Sequence, residues 1–303
     1  MPAAAASLDT VADFIRWGAS RFNAAGLVFA HGTDNAVDEA AALVLHVLHL
    51  PHDVPAWLLA GRLTPDEKQA VVELLERRIR ERKPAAYLTG RTWFAGLEIL
   101  VDERVLVPRS PIAELIETGF APWIDPQRVS AVLDLCTGSG CIALACAVAF
   151  PRSVVDAVDV SPDALDVAAR NVEAQGAGGR VRLLRSDLFA SLAGRRYDLI
   201  VSNPPYLSER ELAGLPPEFA HEPQLGLAAG GDGLAFVSRI LAEVRSHLTD
   251  AGILVLEVGS AAESVTQAWP ELPFIWPDFT HGGSGVLVLT ARDFDRARTA
   301  GAA

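Results

Sequence analysis

The sequence predicts an α/β chain in which a doubly wound, mostly parallel sheet follows a smaller N-terminal helical domain and a β-hairpin connector. Two patterns carry that reading. Beyond Ser130, six short apolar runs (131–135, 154–160, 181–184, 197–202, 252–258 and 285–290) alternate with segments long enough for helices. That alternation is the mark of a parallel sheet covered on both faces. Before residue 90, apolar residues recur at helical spacing between recognisable caps. The expected boundaries are 1–91 for the helical domain, 92–109 for the connector and 110–303 for the sheet domain. A chain of 303 residues has room for about two such domains.

Taken in order, the first helix is marked by Val11, Phe14, Ile15, Trp17 and Phe22, and a second runs from Asp38 to Leu50. The third has a written start. Thr64 is an N-cap, Pro65 sits at the first helical position, and Glu67 three residues on completes a capping box. It continues through Val71, Val72, Leu75 and Ile79 to the basic end Arg80-Glu81-Arg82-Lys83, which suits the helix dipole, and Pro84 stops it. From Thr92 to Val107, alternation around Gly96 and a break at Asp102-Glu103 predict two short strands, with Trp93 and Phe94 buried against the sheet domain. Pro108-Arg109-Ser110-Pro111 ends them, and Ser110 and Pro111 can cap the next helix. The tail from Asp293 to Ala303 is expected to fray.

Composition narrows the function. Half of the residues are apolar, enough for sizeable cores, so gross disorder is excluded. Twenty-six basic against 38 acidic residues give a net charge of −12. Neither half is basic: residues 1–129 hold 13 basic and 17 acidic residues, and residues 130–303 hold 13 and 21. Stable nucleic-acid binding, which rests on clustered Lys and Arg, is therefore not expected. The three cysteines, Cys136, Cys141 and Cys146, form no disulfide framework, and a reducing cytoplasm suits them. Met1 to Thr10 has no basic region ahead of an apolar stretch and does not read as a signal peptide. The longest apolar run, Cys141 to Phe150, is far short of the ~18 residues of a membrane span, so no membrane partner is expected.

Ligands of such sheets bind beyond the carboxyl ends of the strands. The first of these strands ends at Asp134-Leu135-Cys136 and leads into Thr137-Gly138-Ser139-Gly140, where two glycines allow a tight turn and close backbone approach to a ligand. Nineteen residues after Gly140, the second strand ends at Asp159, suited to accept hydrogen bonds from both ribose hydroxyls. The third ends at Ser186-Asp187-Leu188, where the carboxylate can accept from an exocyclic amine. Each aspartate alone could be a helix cap. Three at consecutive strand ends point to a nucleoside ligand.

The fourth strand runs into Asn203-Pro204-Pro205-Tyr206. A turn would explain Asn-Pro, but it leaves the aromatic and the position beside the glycine loop unexplained. The chemical reading accounts for both. An amide or aryl-amine nitrogen is a poor nucleophile because its lone pair is delocalised. The Asn203 side-chain oxygen and the Pro204 carbonyl can accept its two N–H groups and turn it toward an electrophile. The prolines fix that backbone, and Tyr206 can pack on a planar group. Catalysis would then be mainly positioning, with no strong base.

The pattern from Asp134 through Gly138, Gly140, Asp159 and Asp187 to Asn203-Pro204-Pro205-Tyr206 resembles class I S-adenosylmethionine-dependent methyltransferases of planar nitrogens, whose sheet is Rossmann-like. The variant resembles the protein-(glutamine-N5) methyltransferases, which join an N-terminal helical substrate-recognition domain to the catalytic domain through a β-hairpin. The likeness spans nearly the whole chain, including Pro84-x-x-Tyr87-Leu88-Thr89, Val105-Leu106-Val107-Pro108-Arg109, His221-Glu222-Pro223 and Gly230-Gly231-Asp232-Gly233-Leu234. The release-factor branch follows Pro-Arg with Pro-x-Thr-Glu, whereas Arg109 here precedes Ser110-Pro111-Ile112-Ala113-Glu114-Leu115. With His31-Gly32-Thr33-Asp34-Asn35, this is similar to the branch that methylates large-subunit ribosomal protein three. The resemblance implies methyl transfer to a glutamine amide nitrogen. It places S-adenosylmethionine against Asp134, Cys136, Thr137, Gly138, Ser139, Gly140, Asp159, Asp187, Leu188 and Asn203. The glutamine would lie on Asn203, Pro204, Pro205 and Tyr206, with Asn203, Pro204 and Tyr206 catalytic.

The remaining features are weaker. The spacing of five between the cysteines does not suit paired zinc ligands, and His46, His49 and His52 have no partnering motif, so no metal is expected. Glu222 could hold the substrate segment or simply its own loop. Rival readings keep the same site but change the client to a release factor or a nucleic-acid base, or make the protein a non-catalytic assembly factor. A basic ribosomal client would be drawn to an acidic enzyme by long-range steering. Ribosomal RNA would be repelled and compete for that client, so action before or during ribosome assembly is expected.

Overall fold

The computed structural model describes residues 7–300. The first six residues of the Met1–Thr10 stretch and the last three of the tail lie outside them. Among the described residues, no helix is long and apolar enough to cross a membrane. The chain forms two compact units. One holds the residues up to Thr92 together with Val101–Glu103 and Pro216–His221, and the other holds the rest.

In the helical unit, α1 (Val11–Ala24) opens with a capping box between Thr10 and Asp13. The second helix, α2 (Ala36–Val47), begins two residues before the sequence expectation because the Asn35 side chain accepts from the Val37 and Asp38 N–H groups. It also ends short of Leu50, where His49 takes a left-handed conformation. The third, α3 (Pro65–Glu81), carries the expected Thr64–Glu67 box and Pro65 start, and α4 (Ala85–Thr89) follows Pro84. Phe14, Phe22, Leu43, Val44, Val71 and Leu75 fill the apolar core.

Beside that core lies a buried polar cluster that composition did not foreshadow. Arg78 of α3 is 0% exposed. Its Nε pairs with Glu39 of α2, and its Nη2 donates to the Val28 carbonyl at 3.1 Å. Thr33 donates to the other Glu39 oxygen at 2.7 Å. Glu218, brought in by Pro216–His221, takes the Val28 N–H at 3.1 Å and the Arg82 Nη2 at 2.8 Å. The same segment sets the Phe219 ring 4.4 Å from the His31 ring. Thus the His31–Asn35 motif supplies a ring contact, a carboxylate partner and a helix cap.

A two-stranded sheet pairs β1 (Arg91–Phe94) with β2 (Leu97–Leu100), and residues 101–107 are irregular rather than part of the second strand. Phe94 is 4% exposed and Trp93 is 48% exposed. The expectation that both aromatics are buried fails because successive side chains of a strand face opposite sides. A short α5 (Ile112–Glu117) follows, and the Ser110 hydroxyl accepts from the Ile112 N–H at 3.2 Å.

The main sheet holds β3 (Ala131–Leu135), β4 (Val154–Asp159), β5 (Val181–Arg185), β6 (Tyr197–Ser202), β7 (Leu248–Glu257) and β8 (Val286–Thr290), in the order β5-β4-β3-β6-β7-β8. All neighbours are parallel except β7 and β8. Between them run α6 (Cys141–Ala149), α7 (Pro162–Ala174), α8 (Glu209–Ala213), α9 (Ala235–His247) and α10 (Ala262–Ala268). One face packs Leu133, Leu135, Ile200 and Leu254 against Val237, Ile240 and Val244 of α9 and Val265 of α10. On the other, α6 and α7 cover β3, β4 and β5. The tail does not fray through its described part. It forms α11 (Ala291–Ala300), because Phe294 is buried in the core and Asp293 accepts from the Thr290 N–H and hydroxyl at 2.8 and 2.6 Å.

Replacing Glu39 with alanine leaves the Arg78 guanidinium buried without its main counter-charge, which costs about 3–5 kcal/mol. Chemical denaturation should therefore show a clearly lowered midpoint for Glu39→Ala. The double variant Glu39→Leu with Arg78→Met removes both charges and should lose less than the single one.

Candidate active site

Parallel register brings the sequence-predicted residues to one edge of the sheet. Leu135 pairs with both Val158 and Ser202, and Asp159 pairs with Arg185. The next residues in each strand direction, Cys136, Asp159 and Asn203, therefore stand level, with Asp187 two residues beyond the end of β5. Thr137 to Gly140 turn into α6, closed by a Gly140 N–H to Thr137 carbonyl bond of 2.9 Å. Cys136, Gly138 and Gly140 all take positive φ in this turn, and a Cβ on Gly140 would lie 3.3 Å from that of Ala168.

Asp134 serves this loop from behind. It is 0% exposed, and one oxygen accepts from the Thr137 hydroxyl at 2.5 Å and the Ala143 N–H at 3.0 Å. Its contact is with the turn and the first turn of α6. Burial outweighs those hydrogen bonds and pushes its carboxyl up to about 7. Asp159 sits in front. Its two oxygens accept from the Gly138 and Ser161 N–H groups, each at 2.9 Å, and burial raises its carboxyl above the usual range. A carboxylate has about four acceptor positions, so Asp159 keeps capacity for a further hydroxyl donor. Asp187 is exposed and forms an ion pair with Arg239 of α9 at 2.9 Å. Leu188 is buried in the core below.

At the reacting end, Asn203 is half-buried, while Pro204 and Pro205 are buried. The Tyr206 hydroxyl donates to Glu257 at the end of β7 at 3.2 Å. The other Glu257 oxygen accepts from the Ser110 hydroxyl. The Tyr206 ring lies against Gly259, where an added Cβ would come within 2.4 Å of Cε2, so the aromatic requires a glycine there. Burial raises the Tyr206 hydroxyl and the Glu257 carboxyl above their ordinary values. Just beyond, Leu207 bridges Ala228: its N–H donates to the Leu227 carbonyl at 3.0 Å, and its carbonyl accepts from Ala229 at 2.9 Å. Glu222 accepts both arms of Arg109, at 2.5 and 2.8 Å, and the Val107 N–H at 3.1 Å. Its carboxylate clamps two chain segments of this unit.

Sequence reasoning missed Glu257, Arg239 and the role of Ser110. Glu257 was within reach, since it ends an apolar strand run as Asp159 does. Arg239 was not, because an exposed helix arginine carries no local signal. Burial disfavours the thiolate form of all three cysteines. Burial pushes the Cys141 thiol up to about 12 and raises those of Cys136 and Cys146. Among the described residues, no group of three or more His, Cys, Asp or Glu could hold a metal ion. The donor set fits a nucleoside with a charged tail: carboxylates for hydroxyls and an amine, with turn backbone between them.

Known proteins resemble this chain over most of its length. Residues 120–261 match the family model "Methyltransferase small domain", and residues 13–90 match "PrmC N-terminal domain". The chain is 52% identical to the ribosomal protein uL3 glutamine methyltransferase of Xanthomonas campestris pv. campestris, over 96% of this chain and 94% of that one. It is 50% identical to the protein of the same name from Bordetella pertussis, over 93% and 95%. Among solved structures, the hMettl16 catalytic domain in complex with a MAT2A 3'UTR hairpin superposes with a TM-score of 0.50 at 16% identity. It covers 78% of this chain and 83% of that one, a likeness of fold.

The raised Asp134 carboxyl has a consequence for stability. The unfolded chain releases that proton near pH 3.8, and the folded chain holds it to about 7. Stability conferred by the protonated group is present below the lower value and is lost as pH rises through the upper one, at up to about 1.4 kcal/mol per pH unit. Denaturant melts at pH 5 and pH 8 should show the wild type losing more stability across that interval than Asp134→Asn.

Proposed function

The chain belongs to the ribosomal protein uL3 glutamine methyltransferase family, and on that premise we propose that it transfers a methyl group from S-adenosylmethionine to the side-chain amide nitrogen of a glutamine in ribosomal protein uL3. The observation that carries the reading is Asn203-Pro204-Pro205-Tyr206 at the carboxyl end of β6, beside the Cys136–Gly140 turn, with Tyr206 pinned through Glu257. The cofactor would be held by that turn, with Asp159 on its ribose, Asp187 and Leu188 at its base and Asn203 near its reacting end. Bound S-adenosylmethionine supplies an electrophilic methyl on a sulfonium.

The chain's own residues then supply orientation. The Asn203 side-chain oxygen and the Pro204 carbonyl accept the two N–H groups of the glutamine amide, and the nitrogen lone pair turns out of conjugation toward the methyl carbon. The buried prolines hold both acceptors in place. Tyr206, fixed by Glu257 and Gly259, packs on the planar amide. On methylation the amide nitrogen would shed one proton, which the same two acceptors leave free to pass to water. Holding the reactants in line can account for about 7–11 kcal/mol of a barrier, so no strong base is needed.

The net charge of −12 supports a basic client and argues against stable nucleic-acid or membrane partners. We place the activity in the cytoplasm, on free or assembling uL3, since ribosomal RNA would cover the client and repel the enzyme. Labelled S-adenosylmethionine offered with free uL3, a release factor, DNA and mature large subunits in parallel tests the reading. Label should appear on uL3 alone, with one methyl on one glutamine by mass spectrometry; preferential labelling of any other client contradicts it. Asn203→Ala should lose transfer by at least about a hundredfold while still binding the cofactor, and near-normal transfer would refute the orienting role.

A further inference from the structure

Asn171 of α7 is 0% exposed and uses its amide on two separate segments. Its Oδ1 accepts from the Leu100 N–H at 2.7 Å, and its Nδ2 donates to the Leu100 carbonyl at 2.9 Å. The remaining Nδ2 proton goes to the Ser139 carbonyl, also at 2.9 Å. One helical turn later, the Gln175 side chain donates to the Glu98 carbonyl at 2.8 Å. Residues 98 and 100 share an edge of β2, so α7 offers the hairpin two side-chain amides in place of a neighbouring strand. Ser139 lies in the middle of the turn that carries the glycines. Its carbonyl points back at Asn171 while the following N–H, that of Gly140, donates to Thr137. The Ser139–Gly140 peptide plane is therefore held from both sides.

We propose that Asn171 is a positioning residue for cofactor binding, one that ties the glycine turn to the hairpin strand β2 through a single buried amide. This rests on the reading of that turn as the S-adenosylmethionine site. A buried amide whose donors are both used tolerates no rotation without leaving polar atoms unpaired. If β2 shifts, Asn171 must either follow it and release Ser139 or stay and release Leu100. Cofactor affinity and the seating of the hairpin are then linked, and the linkage is reciprocal.

Isothermal titration of S-adenosylmethionine into the full chain tests this with two variants. Asn171→Asp keeps the acceptor for Leu100 but turns both donors into a carboxylate facing two carbonyls, and it should weaken binding by about tenfold or more. Gln175→Ala removes only a side-chain bond to β2, yet it should weaken binding by about two- to fivefold, and in a steady-state transfer assay the loss should appear in KM for the cofactor rather than in kcat. A merely structural helix residue would not move cofactor affinity from the hairpin side. Affinity within experimental error of wild type for folded Gln175→Ala overturns the linkage, and this arm stands even if Asn171→Asp fails to fold. Unchanged affinity in folded Asn171→Asp overturns the positioning role. Absence of binding by the wild type would instead overturn the cofactor reading itself.

Discussion

Parallel strand pairing sets everything else in this molecule. Because β3 pairs in parallel with both β4 and β6, the residues that follow Leu135, Val158 and Ser202 emerge at one level and on one edge. A turn, a carboxylate and an amide thus become neighbours although 67 residues separate Cys136 from Asn203. Apolar burial on both faces holds that register, since the strands are almost wholly inaccessible to water. A slip of one residue would turn each side chain to the opposite face and scatter the site.

Upon that frame the polar groups are fixed by buried partners rather than by their own loops. Asp134 ties the glycine turn to the start of α6, Asn171 ties it to β2, and Glu257 receives Tyr206 and Ser110. Glu222 does the same for Arg109. Each is a carboxylate or amide whose burial makes its hydrogen bonds hard to exchange for water. Rigidity of this kind is what a mechanism based on orientation requires, since the proposed chemistry gains from geometry rather than from proton transfer.

Much of this was legible in the residues. The six apolar runs mark the six strands of the main sheet, the Thr64–Glu67 box marks the start of α3, and the strand-end motifs stand together along the edge of the candidate site. The family resemblance read from Asp134 to Tyr206 agrees with the relatives. What escaped was set by tertiary contacts. Glu218 lies 140 residues from Arg78 in the chain, yet the two share one buried cluster. The tail carries no cap-and-core signal strong enough to foretell that Phe294 finishes the core. Trp93 and Phe94 were both expected to be buried, but the pleat of β1 leaves Trp93 exposed. Arg239 meets Asp187 only because α9 returns beside β5's end.

The central claim is that the site works by orientation, with two acceptors on the nitrogen and no general base. Its most direct test is the single-turnover rate of methyl transfer to bound uL3, at saturating cofactor, between about pH 7.5 and 9.5, above the range in which Asp134 titrates. With no general base in the site, the rate stays flat across that interval. A rate rising about tenfold per pH unit would reveal a required deprotonation and contradict it.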